Sequence, residues 1–207
     1  MTITYAITVC NEFIEIQRLI RFLLQHKRVQ DNITVLYDSK NGDTEIESYL
    51  RSVSINKDIS WNKESFEGHF GDWKNLLTTY CTGDYIFQID ADEIPHESLI
   101  QNLPEILTKN DDSDVFVVPR VNTVKGLTES HIEKWGWYVN EKEWVNWPDY
   151  QWRIWKNKKE IKWVNKVHEK LDGFKTLGIL PDMEELALYH PKTIERQEKQ
   201  NDYYESL

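Results

Sequence analysis

Three carboxylates follow an apolar segment within residues 83–95, which read GDYIFQIDADEIP. The run Tyr85–Phe87 predicts a buried strand, and Asp90, Asp92 and Glu93 come directly after it. Carboxylates are costly to gather at the edge of an apolar sheet unless a cation or a phosphate-bearing ligand uses them. Magnesium and manganese accept oxygen ligands and keep positions open for phosphate. The segment therefore indicates a site for a divalent cation and a phosphorylated ligand; the alternative is a solvated acidic turn that caps the next helix.

Strand and helix patterns alternate through the first half of the chain. β-rich runs predict strands, and apolar residues at helical spacing predict helices. The predicted strands are 2–10, 32–37, 58–61, 84–90 and 114–121, and the predicted helices are 13–24, 44–53, 73–80 and 97–108. Thr44 and Glu47 fit a capping box at the start of the second helix. This alternation predicts an α/β fold, with a mostly parallel, Rossmann-like sheet sandwiched by helices.

Polar residues lie where three of the predicted strands end. Asn11, Asp38 and Asp90 each follow an apolar run. Ligands of mostly parallel sheets bind outside the carboxyl ends of the strands. We therefore expect one crevice to collect all three side chains.

The second half of the chain differs in character from residue 124 onward. Seven of the nine tryptophans lie between residues 135 and 163, and segments 151–155 and 161–164 predict a smaller antiparallel extension. We expect most of these rings to pack in a core and one or two, such as Trp137 or Trp144, to face a cleft. Residues 191–206 predict a peripheral helix with few apolar side chains.

The composition excludes several classes of function. A formal net charge of −10 argues against nucleic-acid binding, which needs a basic surface. Two unclustered cysteines, Cys10 and Cys81, make neither a zinc motif nor a disulfide framework, so we expect a reducing, cytoplasmic setting. Because no apolar stretch is as long as a membrane span, we expect at most peripheral contact with the inner face of a membrane. A homo-oligomer stays open.

Several short motifs occur in the order found in one enzyme family. The first predicted strand ends in TVCNE (8–12), the second in DSKNGD (38–43), and Lys74-Asn75 precede GDYIFQIDADE. Further on come VVPRVN (117–122), WPDYQWRIWKN (147–157) and VHEKLDG (167–173). With these motifs, the chain resembles the family-two glycosyltransferases, which have the GT-A fold, over nearly its whole length. It looks most like a bacterial branch that adds sugars to lipopolysaccharide cores or related acceptors.

The resemblance implies a single domain over residues 1–207, with a nucleotide-sugar-binding half (1–123) and an acceptor-side half (124–207). The donor-binding residues that it implies are Thr8, Cys10, Asn11, Glu12, Asp38, Lys74, Asp90, Ala91 and Asp92. Asp90 would approach the ribose, and Asp92 would hold Mn²⁺ or Mg²⁺. The usual double Asp after the second strand is only Asp38 here, which leaves the nucleotide base open, with uridine the commonest choice. His190 would be a further metal ligand, and a structural hydrogen bond is its alternative.

Two carboxylates compete for the role of general base. Glu169 follows His168 at a predicted strand-to-helix transition, where the family places its acid. The alternative for Glu169 is a surface residue in the first turn of that helix. Asp149 is the competitor for the base. The acceptor side would involve Trp137, Gln151, Arg153 and His168, although Arg153 could instead pair with a nearby carboxylate.

These residues lead to one hypothesis and one alternative. The hypothesis is a metal-dependent inverting glycosyltransferase that moves a sugar from a nucleotide-diphosphate sugar, with a UDP-sugar favoured, to a hydroxyl of a glycan or glycolipid. The alternative is a non-catalytic saccharide- or nucleotide-binding protein with the same fold. A sugar nucleotidyltransferase is disfavoured because such enzymes carry a Gly-rich basic loop after the first strand, and residues 11–13 read Asn-Glu-Phe.

Overall fold

The computed structural model describes residues 1–205, which form twelve β-strands and six α-helices. The strands are β1 (Ile3–Val9), β2 (Asn32–Asp38), β3 (Ile59–Glu64), β4 (Tyr85–Asp90), β5 (Ile94–Pro95), β6 (Val115–Val118), β7 (Arg120–Lys125), β8 (Gln151–Lys156), β9 (Lys162–Val164), β10 (Lys170–Asp172), β11 (Leu177–Ile179) and β12 (Leu188–Thr193). The helices are α1 (Phe13–His26), α2 (Thr44–Val53), α3 (Phe70–Thr79), α4 (Glu97–Lys109), α5 (Glu129–Trp135) and α6 (Ile194–Glu205).

A central sheet of seven strands has the order β11-β6-β8-β4-β1-β2-β3. Strands β1 to β4 run parallel, as do β6 and β11. Strand β8 lies antiparallel to both of its neighbours, β4 and β6. All strands except β8 therefore point the same way, which confirms the predicted mostly parallel α/β sheet.

Helices cover both faces of this sheet because its strands alternate apolar side chains between the faces. On one face, Ile16, Leu19 and Leu23 of α1 pack with helices α2 and α4 against the odd-numbered residues of β1. On the other face, Trp73 and Leu77 of α3 pack with Trp155, Trp163 and Leu171. The apolar spacing of α1 and α4 places each buried stripe along one side of its helix.

Two small sheets complete the fold. One has the order β5-β12-β7, and the other is the antiparallel pair β9 and β10. The prediction of one strand over 114–121 is wrong, because the chain leaves the central sheet after β6 and enters β7 of another sheet. Pro119 lies between the two strands, where it has no N–H to offer a sheet ladder, and its carbonyl accepts from Leu188 N–H at 2.9 Å.

The capping of α2 and the start of α6 differ from the predictions. Asp43, not Thr44, is the N-cap of α2, and the Glu47 carboxylate contacts Lys63 Nζ at 2.6 Å and Arg51 Nη2 at 2.7 Å. The capping box is therefore wrong, because two cations hold the glutamate. Residues 191–193, predicted as helix, extend β12 beside β7, and helix α6 begins at Ile194. The predicted last helical residue, 206, lies outside the described residues. Within the described part of the chain, no helix has the length and apolar character that crossing a bilayer requires.

Asp114 joins three segments at the edge of the central sheet and should make stability depend on pH. Its carboxylate contacts Lys158 Nζ at 2.8 Å and accepts from Lys175 N–H at 3.0 Å. The Lys158 contact, followed by the Lys175 N–H, lowers the pKa of Asp114 to about 2. Because the folded-state pKa lies below the unfolded value, this contribution is present above pH about 4 and is lost as the pH falls to about 2.

We expect Asp114→Asn to lower the free energy of unfolding at neutral pH by about 1–2 kcal/mol. Urea unfolding at several pH values measures this, and the difference from the wild type should disappear near pH about 2. Asp112→Asn, in the same loop but exposed, is the matched control and should leave stability unchanged. A constant difference at every pH would contradict the assignment.

Candidate active site

A cleft with a volume of about 1020 Å³ lies at the carboxyl ends of β1, β2 and β4. The structure brings every predicted site residue to its wall. These residues are Thr8, Cys10, Asn11, Glu12, Asp38, Lys74, Asp90, Ala91, Asp92, Trp137, Asp149, Gln151, Arg153, His168, Glu169 and His190. The parallel strand ends explain why residues that are distant in sequence meet here.

The ends of β1 and β2 form the first wall of the cleft. The Asp38 carboxylate accepts from Lys40 N–H at 3.0 Å and Phe66 N–H at 3.1 Å, so it fixes the loop that follows β2. The Cys10 thiol lies 3.7 Å from Asp38 Oδ2, and burial, with Asp38 beside it, raises the pKa of Cys10 to about 12. A side chain on Gly42 would bring a Cβ within 2.6 Å of the Cys10 carbonyl oxygen, so this turn needs glycine to close against β1.

Asp90 ends β4 and is held by two side chains. Gln88 Nε2 donates to Oδ1 at 2.8 Å, and Arg153 Nη2 donates to Oδ2 at 2.7 Å. Burial acts to raise the pKa of Asp90, but the charges of Arg153 and Lys74 outweigh it and hold that pKa far below the ordinary value. Asp90 is therefore an anion with a fixed orientation.

Asp92 and His190 face each other in the cleft, with Asp92 Oδ2 and His190 Nε2 3.2 Å apart. Asn122 Nδ2 donates to Asp149, which leaves Asn122 Oδ1 as the acceptor for His190 Nδ1–H at 2.9 Å. Burial lowers the pKa of His190, while the Asp92 carboxylate acts to raise it. A cation placed between Asp92 Oδ2 and His190 Nε2 would be shared by both side chains.

Arg196 of α6 is one cation near this pair. Its guanidinium lies 3.3 Å from Asp92 Oδ2, 3.2 Å from Glu12 Oε1 and 3.2 Å from Glu15 Oε1. Burial acts to raise the pKa of Asp92, but His190 and Arg196 hold it well below its usual value. Helix α6 thus borders the cleft and is held there by the ion pairs of Arg196, since its side chains are mostly polar.

The donor atoms fit a divalent cation held in part by the protein. A carboxylate oxygen and an imidazole nitrogen suit manganese, and the Asn122 contact orients the ring as is usual for a metal-binding histidine. Among the described residues, no group of three or more His, Cys, Asp and Glu side chains is placed to hold a metal. Asp92 and His190 would therefore supply two ligands, and the others would come from water or phosphate.

Glu169 also lines the cleft, between β9 and β10. Its Oε1 contacts Lys74 Nζ at 2.5 Å, and Lys74 in turn lies over the Trp163 ring, 4.6 Å from the centroid. The predicted strand-to-helix transition at this residue is wrong, because strand β10 begins at Lys170 and pairs with β9. The alternative of a first-turn helical surface residue is therefore wrong as well. His168, which precedes Glu169, has φ 52° and also lines the cleft.

Asp149 is more heavily hydrogen-bonded than Glu169. Its Oδ2 accepts from Arg120 Nη2 at 2.6 Å and from Asn122 Nδ2 at 2.8 Å, and its Oδ1 accepts from Gln151 Nε2 at 2.8 Å. Burial acts to raise the pKa of Asp149, but the Arg120 charge and these donors lower it below the ordinary value. Such a carboxylate is well positioned and weakly basic.

Arg153 is nearly buried and its guanidinium contacts Asp90 and Glu93. The predicted alternative for Arg153, pairing with a carboxylate, is therefore what this structure contains. Of the two tryptophans predicted to face the cleft, Trp137 lines it and contacts the Trp135 ring at a tilted angle, whereas Trp144 is buried against Trp147. Most of the seven rings pack, as predicted.

Several cleft residues are absent from the sequence-based prediction. Arg120 and Asn122 lie in the VVPRVN motif, so motif position could have indicated them. Lys192 and Arg196 lie at the end of β12 and in α6. No sequence pattern indicated that these two residues face the cleft, and the ion-pair partners of Arg196, Glu12 and Asp92, are more than 100 positions away from it.

No family model matches the chain. Among solved structures, it is similar to residues 1–349 of S. aureus TarS, with a TM-score of 0.62 and 13% identity over 92% of this chain and 60% of that one. The same protein in complex with UDP-GlcNAc gives a TM-score of 0.63 at 14% identity over 93% of this chain and 59% of that one. Its complex with UDP gives 0.62 at 12% identity over 92% and 60% of the two chains.

This similarity establishes a GT-A-like fold. Of the predicted antiparallel extension, Lys162–Val164 pairs with β10, whereas Gln151–Lys156 is an internal strand of the central sheet. The chain spans about 60% of the length of the TarS fragment that it matches. The shared fold does not single out the lipopolysaccharide core-type branch.

Proposed function

We propose that this protein transfers a sugar from a nucleotide-diphosphate sugar to a hydroxyl group of a glycan or glycolipid. The observation that carries the proposal is the cleft itself, a space of about 1020 Å³ lined by Asp90, Asp92, Asp149 and Glu169. The fold supports it, because S. aureus TarS shares this fold and was crystallised with UDP-GlcNAc and with UDP. A uridine diphosphate sugar is therefore the donor to test first.

The donor would lie against the ends of β1, β2 and β4. The β1 end and Asp38 would line the nucleoside pocket, and Asp90, fixed by Arg153 and Gln88, would accept a hydrogen bond from the ribose. Asp92 and His190 would hold Mn²⁺ or Mg²⁺, and the ion would neutralise the charge on the departing diphosphate. Lys192 and Arg196 would add positive charge to the same side of the cleft.

Glu169 is the proposed general base for an inverting transfer. It would take the proton of the acceptor hydroxyl while that oxygen attacks the anomeric carbon from the side opposite the diphosphate. Its position supports this role, because it lines the same cleft as Asp90 and pairs with Lys74 through one oxygen. Asp149 is the second candidate, and its hydrogen bonds to Arg120, Asn122 and Gln151 suit it better to holding the acceptor site in shape.

The acceptor would enter the same cleft. Trp137 offers a ring against which the apolar face of a sugar can stack, and Gln151 and His168 also line the cleft. Arg153 would act indirectly, since its guanidinium is buried against carboxylates.

A donor-hydrolysis assay tests the proposed function. With UDP-sugars and manganese, the wild type should release UDP, and a chelator should suppress the release. Asp112→Asn removes one negative charge at an exposed position, so it serves as a control variant and should keep full activity. Donor binding by calorimetry with no turnover from any sugar donor would favour the non-catalytic binding protein. Turnover that the chelator leaves unchanged would contradict the metal requirement.

A further inference from the structure

Glu93 is a charged side chain with no exposure to solvent, placed directly behind the cleft. Its Oε1 lies 2.6 Å from Arg153 Nη2 and 3.0 Å from Arg120 Nη1. Its Oε2 accepts from the backbone N–H of Asp90 at 3.2 Å, while Glu93 N–H donates to the Asp90 carbonyl at 2.9 Å. Glu93 is thus tied to the end of β4 and to two guanidiniums at once.

Each of the two arginines reaches from Glu93 to a different carboxylate of the cleft. Arg153 Nη2 also contacts Asp90 Oδ2 at 2.7 Å, on the donor side. Arg120 Nη2 and Nε donate to Asp149 Oδ2 at 2.6 and 3.0 Å, on the acceptor side. A guanidinium is planar and rigid, so moving one of its partners changes the geometry available to the other.

We propose that Glu93 is a positioning residue that couples Asp90 on the donor side of the cleft to Asp149 on the acceptor side through Arg153 and Arg120. This role rests on the proposed function for what the two sides bind, but the coupling itself is a property of the ion-pair chain. Glu93 does not line the cleft, so it acts only through these residues.

Stability alone is a poor explanation for this arrangement. A buried carboxylate shared by two arginines must be desolvated, and well-packed apolar side chains can often fill such a space without loss of stability. What an apolar side chain could not do is hold two cations at a fixed separation. The chain Asp90–Arg153–Glu93–Arg120–Asp149 is continuous, with each contact at 3.0 Å or less.

A double-mutant cycle with Glu93→Gln and Asp149→Asn tests the coupling, with UDP and manganese as the probe in calorimetry. Glu93→Gln alone should weaken UDP binding about tenfold, because both arginines lose a charged partner. Asp149→Asn should weaken UDP binding about fivefold when Glu93 is present and less than about twofold in the Glu93→Gln background. Equal effects of Asp149→Asn in the two backgrounds, or none in either, would overturn the proposal.

Two further variants separate positioning from general destabilisation. Ile154→Val removes a methyl group from a fully buried neighbour of Arg153 and should lower stability while UDP affinity stays within about twofold. Glu93→Asp keeps the carboxylate and should restore part of the affinity that Glu93→Gln loses. If Glu93→Gln does not fold, the same cycle with Glu93→Asp decides the question, and the non-additivity should then be smaller but present.

A readout without any nucleotide distinguishes this proposal from the proposed function. The Nε–H resonances of Arg120 and Arg153 can be followed by NMR in selectively labelled protein. Asp149→Asn should shift the Arg153 resonance when Glu93 is present and leave it in place in Glu93→Gln. If the wild type binds no UDP, the proposed function fails, yet this shift would still support the coupling. An Arg153 resonance that Asp149→Asn never moves would overturn it.

Discussion

Asp92→Asn is expected to abolish metal-dependent donor binding, with a loss of affinity of at least about 100-fold, or about 2.7 kcal/mol. The substitution keeps the shape of the side chain but removes the carboxylate charge that lies 3.2 Å from His190 Nε2. A neutral amide is a weaker ligand than a carboxylate for a hard divalent cation, and its Nδ2 can donate to His190 instead. The proposed metal site would therefore lose the negative charge that holds the cation.

Calorimetric titration of UDP in the presence of manganese measures this effect, and a titration without metal gives the baseline. The fold should persist, because Arg196 keeps Glu12 and Glu15 as partners. Asp112→Asn is the control of equal charge change at an exposed position and should bind as the wild type does. Unchanged affinity of Asp92→Asn for the metal–nucleotide pair would show that the cation binds elsewhere.

Glu169→Gln is expected to keep donor binding and to lose sugar transfer by about 10²–10⁴-fold, the usual contribution of a general base. The amide occupies the same space and can still accept a hydrogen bond from Lys74, so the wall of the cleft should hold its shape. What it cannot do is accept the proton of an attacking hydroxyl. The measurement compares kcat for transfer with the affinity for UDP in the same variant.

Glu160→Gln is the matched control, because Glu160 is an exposed glutamate just before β9 in the same segment. It should transfer at the wild-type rate. If Glu169→Gln still moved sugar near the wild-type rate, Asp149 would be the base instead. Asp149→Asn would then show the large loss of sugar transfer. A parallel fall in UDP affinity would instead assign Glu169 to donor binding through Lys74.

The sequence pattern predicted the central sheet well, but it did not predict where the chain leaves that sheet or where short strands pair. Apolar periodicity predicts α1, α4 and β4 because each of these elements buries one side or both sides in the core. Pro119 shows the limit, since the run over 115–121, apolar except for Arg120, contains a change of sheet. The predicted strand-to-helix transition at Glu169 is wrong for a similar reason. The short strand β10 forms by pairing with β9, and local spacing does not indicate such a pairing.

The candidate site divides along the same line. The identities of Asp90, Asp92, Glu169 and His190 and their places near element ends were available from the motifs, and the structure places all four in one cleft. Their roles stay predictions. The charge partners were not available, because Arg196 approaches Glu12 and Asp92 only after the chain has folded back on itself.

The sequence by itself indicated the alternating strands and helices of the first half, such as α1, β4 and α4, and that acidic side chains end β2 and β4. It could do so because those outcomes depend on local periodicity and on side-chain type. The tertiary structure alone decided which cation faces which carboxylate: Arg153 and Arg120 on Glu93, Lys74 on Glu169, Arg196 on Asp92. Pairings of this kind depend on the distances between elements, and no spacing along the chain encodes those distances.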